Sequence, residues 1–186
     1  MSRILVFLAV LFMSTLSIAE LSYEQLNKVA ITPEHLQGHF RQQKYLLDLD
    51  VTLHSSGKFQ YQRDEAIRWE TIEPIQNVLI MTPQRIVNSQ GDNELVTLDA
   101  KSNPAVLILS DIFFSVLTAD WKKLATYFSL TGTLEQQQWQ VELIPTDAIV
   151  AQVMTRVELK GDGLLRELTF HEKNGDSTVI TFDNLK

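Results

Sequence analysis

The chain has 186 residues, no cysteine, and 16 lysines and arginines against 23 aspartates and glutamates, a formal charge of −7. Such a length is one domain's worth, and the lack of thiols excludes disulfides, thiolate metal sites and a lipidated cysteine. The acidic balance, with no lysine–arginine cluster anywhere, excludes a nucleic-acid surface, which needs a basic face.

In chain order, the opening "MSRILVFLAVLFMSTLSIAELS" carries one arginine, an apolar run from Ile4 to Met13, and the small residues Ser17 and Ala19. These are the parts of a secretory signal peptide, and the run is short of the ~20 apolar residues that span a bilayer. Cleavage after Ala19 is expected, leaving residues 20–186 as a single soluble, exported domain. Next, "LSYEQLNKVAI" places Leu21, Leu26 and Val29 at helical spacing, with Ser22 as N-cap and Pro33 closing the pattern.

From Gln37 the period becomes two. Leu47, Leu49, Val51 and Leu53 alternate with Asp48, Asp50, Thr52 and His54, and "HSSGK" with Gly57 reads as the turn of a hairpin. In the strand that follows, Phe59, Tyr61 and Arg63 share one face while Lys58, Gln60 and Gln62 share the other. An arginine therefore ends a row that looks inward, where its five donors need acceptors. A second strand through Trp69 comes after a polar turn. Further strands are expected at 76–81, 94–99, 126–130, 139–144, 152–160, 165–171 and 177–182, with "KGDG" and "KNGD" as hairpin turns.

One segment breaks the run of strands. "SNPAVLILSDIFFSVLTADW" has Asn103 as a cap and Pro104 at the first helical position, and is apolar nearly all round to Leu117. It is too short to cross a bilayer, so it must be covered by protein or by something that is not water. Leu109, Phe113 and Leu117, at i, i+4 and i+8, share one face of it. The simplest architecture is a strongly curved antiparallel sheet whose concave face is covered by helices.

No constellation points to catalysis or to a metal. His35 and His39 have the spacing of two ligands on a helix, but Pro33 and Gly38 argue against a helix there and no third ligand follows. There is no G-x-S-x-G elbow and no glycine-rich phosphate loop, and the paired carboxylates lie on outward faces or in turns. The aromatic residues Phe59, Tyr61, Trp69, Phe113 and Phe170 either fill a core or wall an apolar cavity, and periodicity alone does not separate the two.

Three stretches carry a resemblance: "GHFRQQK", "SSGKFQYQRDEAIRWETIEP" with "NVLIMTPQRIV", and "YFSLTGTLEQQQWQVELIPTD". Phe40, Gln42, Arg63, Trp69 and Pro74 fall in the order found in the LolA-like periplasmic outer-membrane lipoprotein carriers, which the chain resembles from about Tyr23 to Phe182. The resemblance implies an unclosed antiparallel β-barrel with helices as a lid over a hydrophobic cavity. It further implies a monomer that needs no cofactor and carries acyl chains of lipidated cargo from an inner-membrane donor to an outer-membrane acceptor. Arg63 is implied to bond lid carbonyls when the cavity is empty, and Phe59, Tyr61, Trp69, Leu109, Phe113 and Leu117 become the expected walls. The sequence departs from the family pattern at Asp64, where a proline commonly follows the arginine, at "TPQ", and at "STVITFDNLK", where standard carriers continue into another strand. These departures lead to the expectation of a divergent paralogue with another acylated cargo, such as an aryl-polyene-type lipid. The rival readings are an envelope-assembly interaction module with a filled half-barrel and, last, an acyl-ester hydrolase.

Overall fold

The computed structural model describes residues 21–102 and 105–186. The signal segment, its cleavage point, and the Asn103 and Pro104 helix start lie outside the described residues. Helix α1 (Tyr23–Val29) opens with a reciprocal cap: the Gln25 amide donates to Ser22 Oγ, and the Ser22 amide donates to Gln25 Oε1 at 2.8 Å. Leu26, on its inner face, is fully buried.

Among the described residues, eleven strands form one antiparallel sheet. They are β1 (His35–Leu46), β2 (Val51–Gln62), β3 (Ala66–Glu73), β4 (Asn77–Met81), β5 (Arg85–Gln90), β6 (Asn93–Asp99), β7 (Phe128–Glu135), β8 (Gln138–Pro145), β9 (Met154–Gly161), β10 (Leu165–Glu172) and β11 (Ser177–Asp183). Their order is β6-β5-β4-β3-β2-β1-β11-β10-β9-β8-β7. The first and last strands thus zip together in the middle, and β6 and β7, neighbours in sequence, are the two free edges. The chain joining those edges must cross the open side, and it does so as helices α2 (Ala105–Leu117) and α3 (Trp121–Leu124). A short helix, α4 (Val150–Val153), precedes β9. Among the described residues, no helix is long and apolar enough to cross a membrane.

Inward side chains follow from the register. Phe40 lies opposite both Gly57 and Phe182, and Phe59 opposite Trp69. Phe40 stacks on Trp69 with ring centroids 3.9 Å apart, and Phe59 and Phe182 meet edge to face at 5.4 Å. This aromatic cluster fills the middle of the curved sheet. Helix α2 closes over it: Ile112, Val116 and Leu117 are buried, and Phe114 meets Tyr61 edge to face at 5.8 Å.

The first hairpin differs from the expectation. The Leu47–Leu49 segment is a single tight helical turn closed by Asp50 in the left-handed region (φ 50°), and "HSSGK" lies inside β2. Two tertiary facts decide this. Asp176, from the β10–β11 turn, accepts the Leu47 amide at 2.9 Å and pins the real turn. Gly57 must lie within the sheet because a Cβ there would stand 2.0 Å from the Glu70 carbonyl and 2.9 Å from the Phe40 ring. Strand β5 and helices α3 and α4 were also outside the sequence reading.

Candidate functional site

The interior is not filled throughout. Between α2 and the inner faces of β1, β3, β4, β10 and β11 lies a cavity of about 260 Å³, just below the roughly 300–1,000 Å³ of typical small-molecule sites. Ile67 and Trp69 from β3, with Leu79 and Met81 from β4, form one wall. Phe170 and Ile180 form the other, and Phe113 from α2 roofs it, its ring centroid 5.9 Å from that of Phe170. Larger hollows lie on the surface; those of about 390 and 480 Å³ are troughs carrying Glu135, Lys160 and Arg166 in one case and His35, Glu65 and Arg68 in the other.

Polar groups enter the apolar cavity at one end. Counting inward positions along β1 from Phe40 gives Gln42 and then Lys44, and both line the cavity together with Thr178 of β11. Lys44 is the only charged residue among the lining side chains. Its Nζ lies 2.8 Å from Glu172 Oε1, and both side chains are about one-third exposed, at 32% and 29%. On the same face, opposite Lys44 and Leu46, sit Leu53 and Val51, both exposed. No strand covers that part of β2, because β3 pairs with it only from Ser56 onward.

Arg63 occupies the other end of the sheet, in the β2–β3 turn just past Gln62. Its Nη2 donates to the Thr32 carbonyl, its Nη1 lies 2.8 Å from the Glu34 carboxylate, and its own amide donates to the Glu34 carbonyl at 2.9 Å. Thr32 belongs to the connection between α1 and β1. That connection is also tied at Ile31, whose amide donates to the Gly163 carbonyl at 2.7 Å. The acceptor thus belongs to the segment leaving α1 rather than to α2. Nearby, burial pushes the Tyr61 phenol above its usual value, with Arg63 acting against it.

Of the residues singled out from sequence, Trp69 and Phe113 line the cavity. Phe59, Tyr61 and Leu117 are buried beside it, within the packed interior. Leu109 lies on α2, and its side chain is outside the described residues. Lys44, Ile67, Leu79, Met81, Thr178 and Ile180 were missed. Lys44 was within reach, since the count of two that places Gln42 inward places Lys44 inward as well. Among the described residues, no group of three or more His, Asp or Glu side chains is placed to hold a metal.

The model of the family described as outer membrane lipoprotein carrier protein LolA matches residues 32–186. No curated protein matches the chain. Among solved structures, the Pseudomonas aeruginosa MucA/MucB complex contains a chain 19% identical to this one, with a TM-score of 0.50, over 88% of this chain and 56% of that one. A LolA superfamily protein from Nitrosomonas europaea is 9% identical over 88% and 90% of the two chains, with a TM-score of 0.44. A DUF1329 family protein from Desulfovibrio piger is 12% identical over 88% and 89%, with a TM-score of 0.48.

Proposed function

The chain belongs to the family of the outer membrane lipoprotein carrier protein LolA, and on that footing we propose that it is a periplasmic carrier of acyl chains. It takes lipidated cargo from an inner-membrane donor towards an outer-membrane acceptor and does no chemistry on it. The observation that supports this most directly is the largely apolar cavity under α2, a half-open space walled by Trp69, Leu79, Met81, Phe113 and Phe170. Burying apolar surface there gains roughly 25 cal/mol per Å², so a chain segment gives a binding energy that needs no specific polar contact. The small volume suits one chain segment at a time and agrees with a cargo other than a multiply acylated protein.

Native mass spectrometry of protein gently extracted from its own periplasm tests the proposal. Co-purifying lipid, and displacement of an apolar fluorescent probe by long-chain lipids, are the expected results. A second reading, an interaction module, draws on β6, an edge strand exposed along nearly all its length with Leu95 and Val96 outward to solvent. Absence of lipid and of probe uptake, with a protein captured through β6, would favour that module over the carrier.

A further inference from the structure

We propose that the cargo is a single-chain amphiphile with a carboxylate head, and that Lys44 is the residue that recognises the head; this rests on the carrier reading above. The cavity is polarised along its length. Ile67 and Met81, nearest the Arg63 end, are apolar, and the row Lys44–Thr178–Phe170 across β1, β11 and β10 brings an ammonium and a hydroxyl to the opposite end. Gln42 adds an amide one row deeper. A chain with its methyl end against Ile67 and Met81 therefore places its head at Lys44.

The chemistry of the head follows from the donors. One ammonium flanked by a hydroxyl and an amide matches one negative charge spread over two oxygens, whereas a phosphate monoester carries close to two charges and calls for a second cation. The Lys44 ammonium already holds a carboxylate, that of Glu172 at 2.8 Å. Glu172 is the last residue of β10, beside the turn at residues 173–176, so a ligand carboxylate takes its place while Glu172 turns outward to water. In the empty protein the Glu172 carboxylate neutralises the charge that Lys44 brings to a cavity wall it shares with Phe170 and Ile180. Glu172 is thus a built-in competitor for the head site.

The test uses displacement of an apolar fluorescent probe from the full exported protein by hexadecanoic acid, hexadecanol and hexadecyl phosphate. For wild type the acid should bind about tenfold more tightly than the alcohol, the equivalent of one charge-assisted bond. In Lys44→Met the acid should lose its advantage and the two should become equal, which a general packing defect would not produce. In Glu172→Gln the acid should gain several-fold and the alcohol should not. If acid and alcohol bind wild type equally, or the phosphate binds more tightly than the acid, the head assignment is overturned while the carrier reading stands. If none of the three displaces the probe, and native mass spectrometry finds no lipid, the carrier reading itself falls.

Discussion

Arg63 and Thr32, 31 positions apart in sequence, are joined by a guanidinium–carbonyl hydrogen bond that ties the exit of α1 to the turn after β2. With Glu34 it gives Arg63 two acceptors, while Nε remains buried without one. Arg63→Leu removes a charge-assisted bond of ~1.5–3 kcal/mol. If loading an acyl chain requires the α1 connection to lift, that loss falls on the empty form, and cargo is retained more tightly by roughly tenfold or more. Arg63→Lys should be intermediate, because a point ammonium cannot reach both acceptors as the fork does. Thermal stability of the empty protein, measured beside the probe dissociation rate, checks this. A variant that loses stability but releases probe as fast as wild type makes Arg63 a structural tie alone.

Phe113 roofs the cavity and is only partly buried, whereas Ile112, its neighbour on α2, is 1% exposed. Phe113→Asp should therefore lower probe affinity by about tenfold or more with a modest fall in melting temperature. Ile112→Asp should unfold the protein, since an unpaired carboxylate has no place in a packed interior. Unchanged probe binding by a folded Phe113→Asp protein would remove the cavity from the functional account.

Gly57 sits beneath the Phe40 ring at the point where β2 meets β3. Gly57→Ala puts a methyl 2.0 Å from the Glu70 carbonyl, and the sheet has to open to admit it. Overpacking of this kind costs about 1–3 kcal/mol. Urea unfolding followed by tryptophan fluorescence should report that loss together with a disturbed Trp69 signal, because Trp69 stacks on Phe40. A neutral substitution would show that β2 yields here more readily than its packing suggests.

Burial pushes the Tyr23 phenol up to about 12 from 10.0, and its hydroxyl donates to the Phe128 carbonyl at 2.8 Å. A folded-state value above the unfolded one means the contribution is whole below pH 10 and is lost as the pH rises through about 12. Tyr45, Tyr61 and Tyr127 are raised as well, so wild type should lose stability across this window. Tyr23→Phe should start about 1 kcal/mol lower and fall less steeply. Unfolding free energies measured below pH 10 and again near 12 decide it; equal slopes in the two proteins would remove Tyr23 from the alkaline response.

The local rules of the chain were readable one element at a time. Ser22 marks the start of α1 through its own side chain, and "KGDG" and "KNGD" mark turns through glycine and short polar residues. The alternation of Phe59 and Tyr61 against Lys58, Gln60 and Gln62 predicts the burial seen, because strand geometry assigns the faces without reference to any partner. The order of Phe40, Gln42, Arg63, Trp69 and Pro74 carried a family resemblance, and that resemblance implied the unclosed sheet with its helical lid.

What needed the tertiary structure was everything set by contacts between distant segments. The Leu47–Asp50 turn looked like strand because leucine and aspartate alternate there, and Asp176, 129 residues from Leu47, helps hold it as a turn by accepting the Leu47 amide. Gly57 looked like a turn because its reason for being glycine is the Phe40 ring and the Glu70 carbonyl on neighbouring strands. Trp69 and Phe113 line a cavity while Phe59 and Tyr61 pack in solid core, although all four are large aromatic residues on inward faces. Side-chain periodicity fixes which way a residue points, but the space in front of it is fixed by what another element brings there. In this protein that element is α2, carried across the open side by the need to connect β6 to β7.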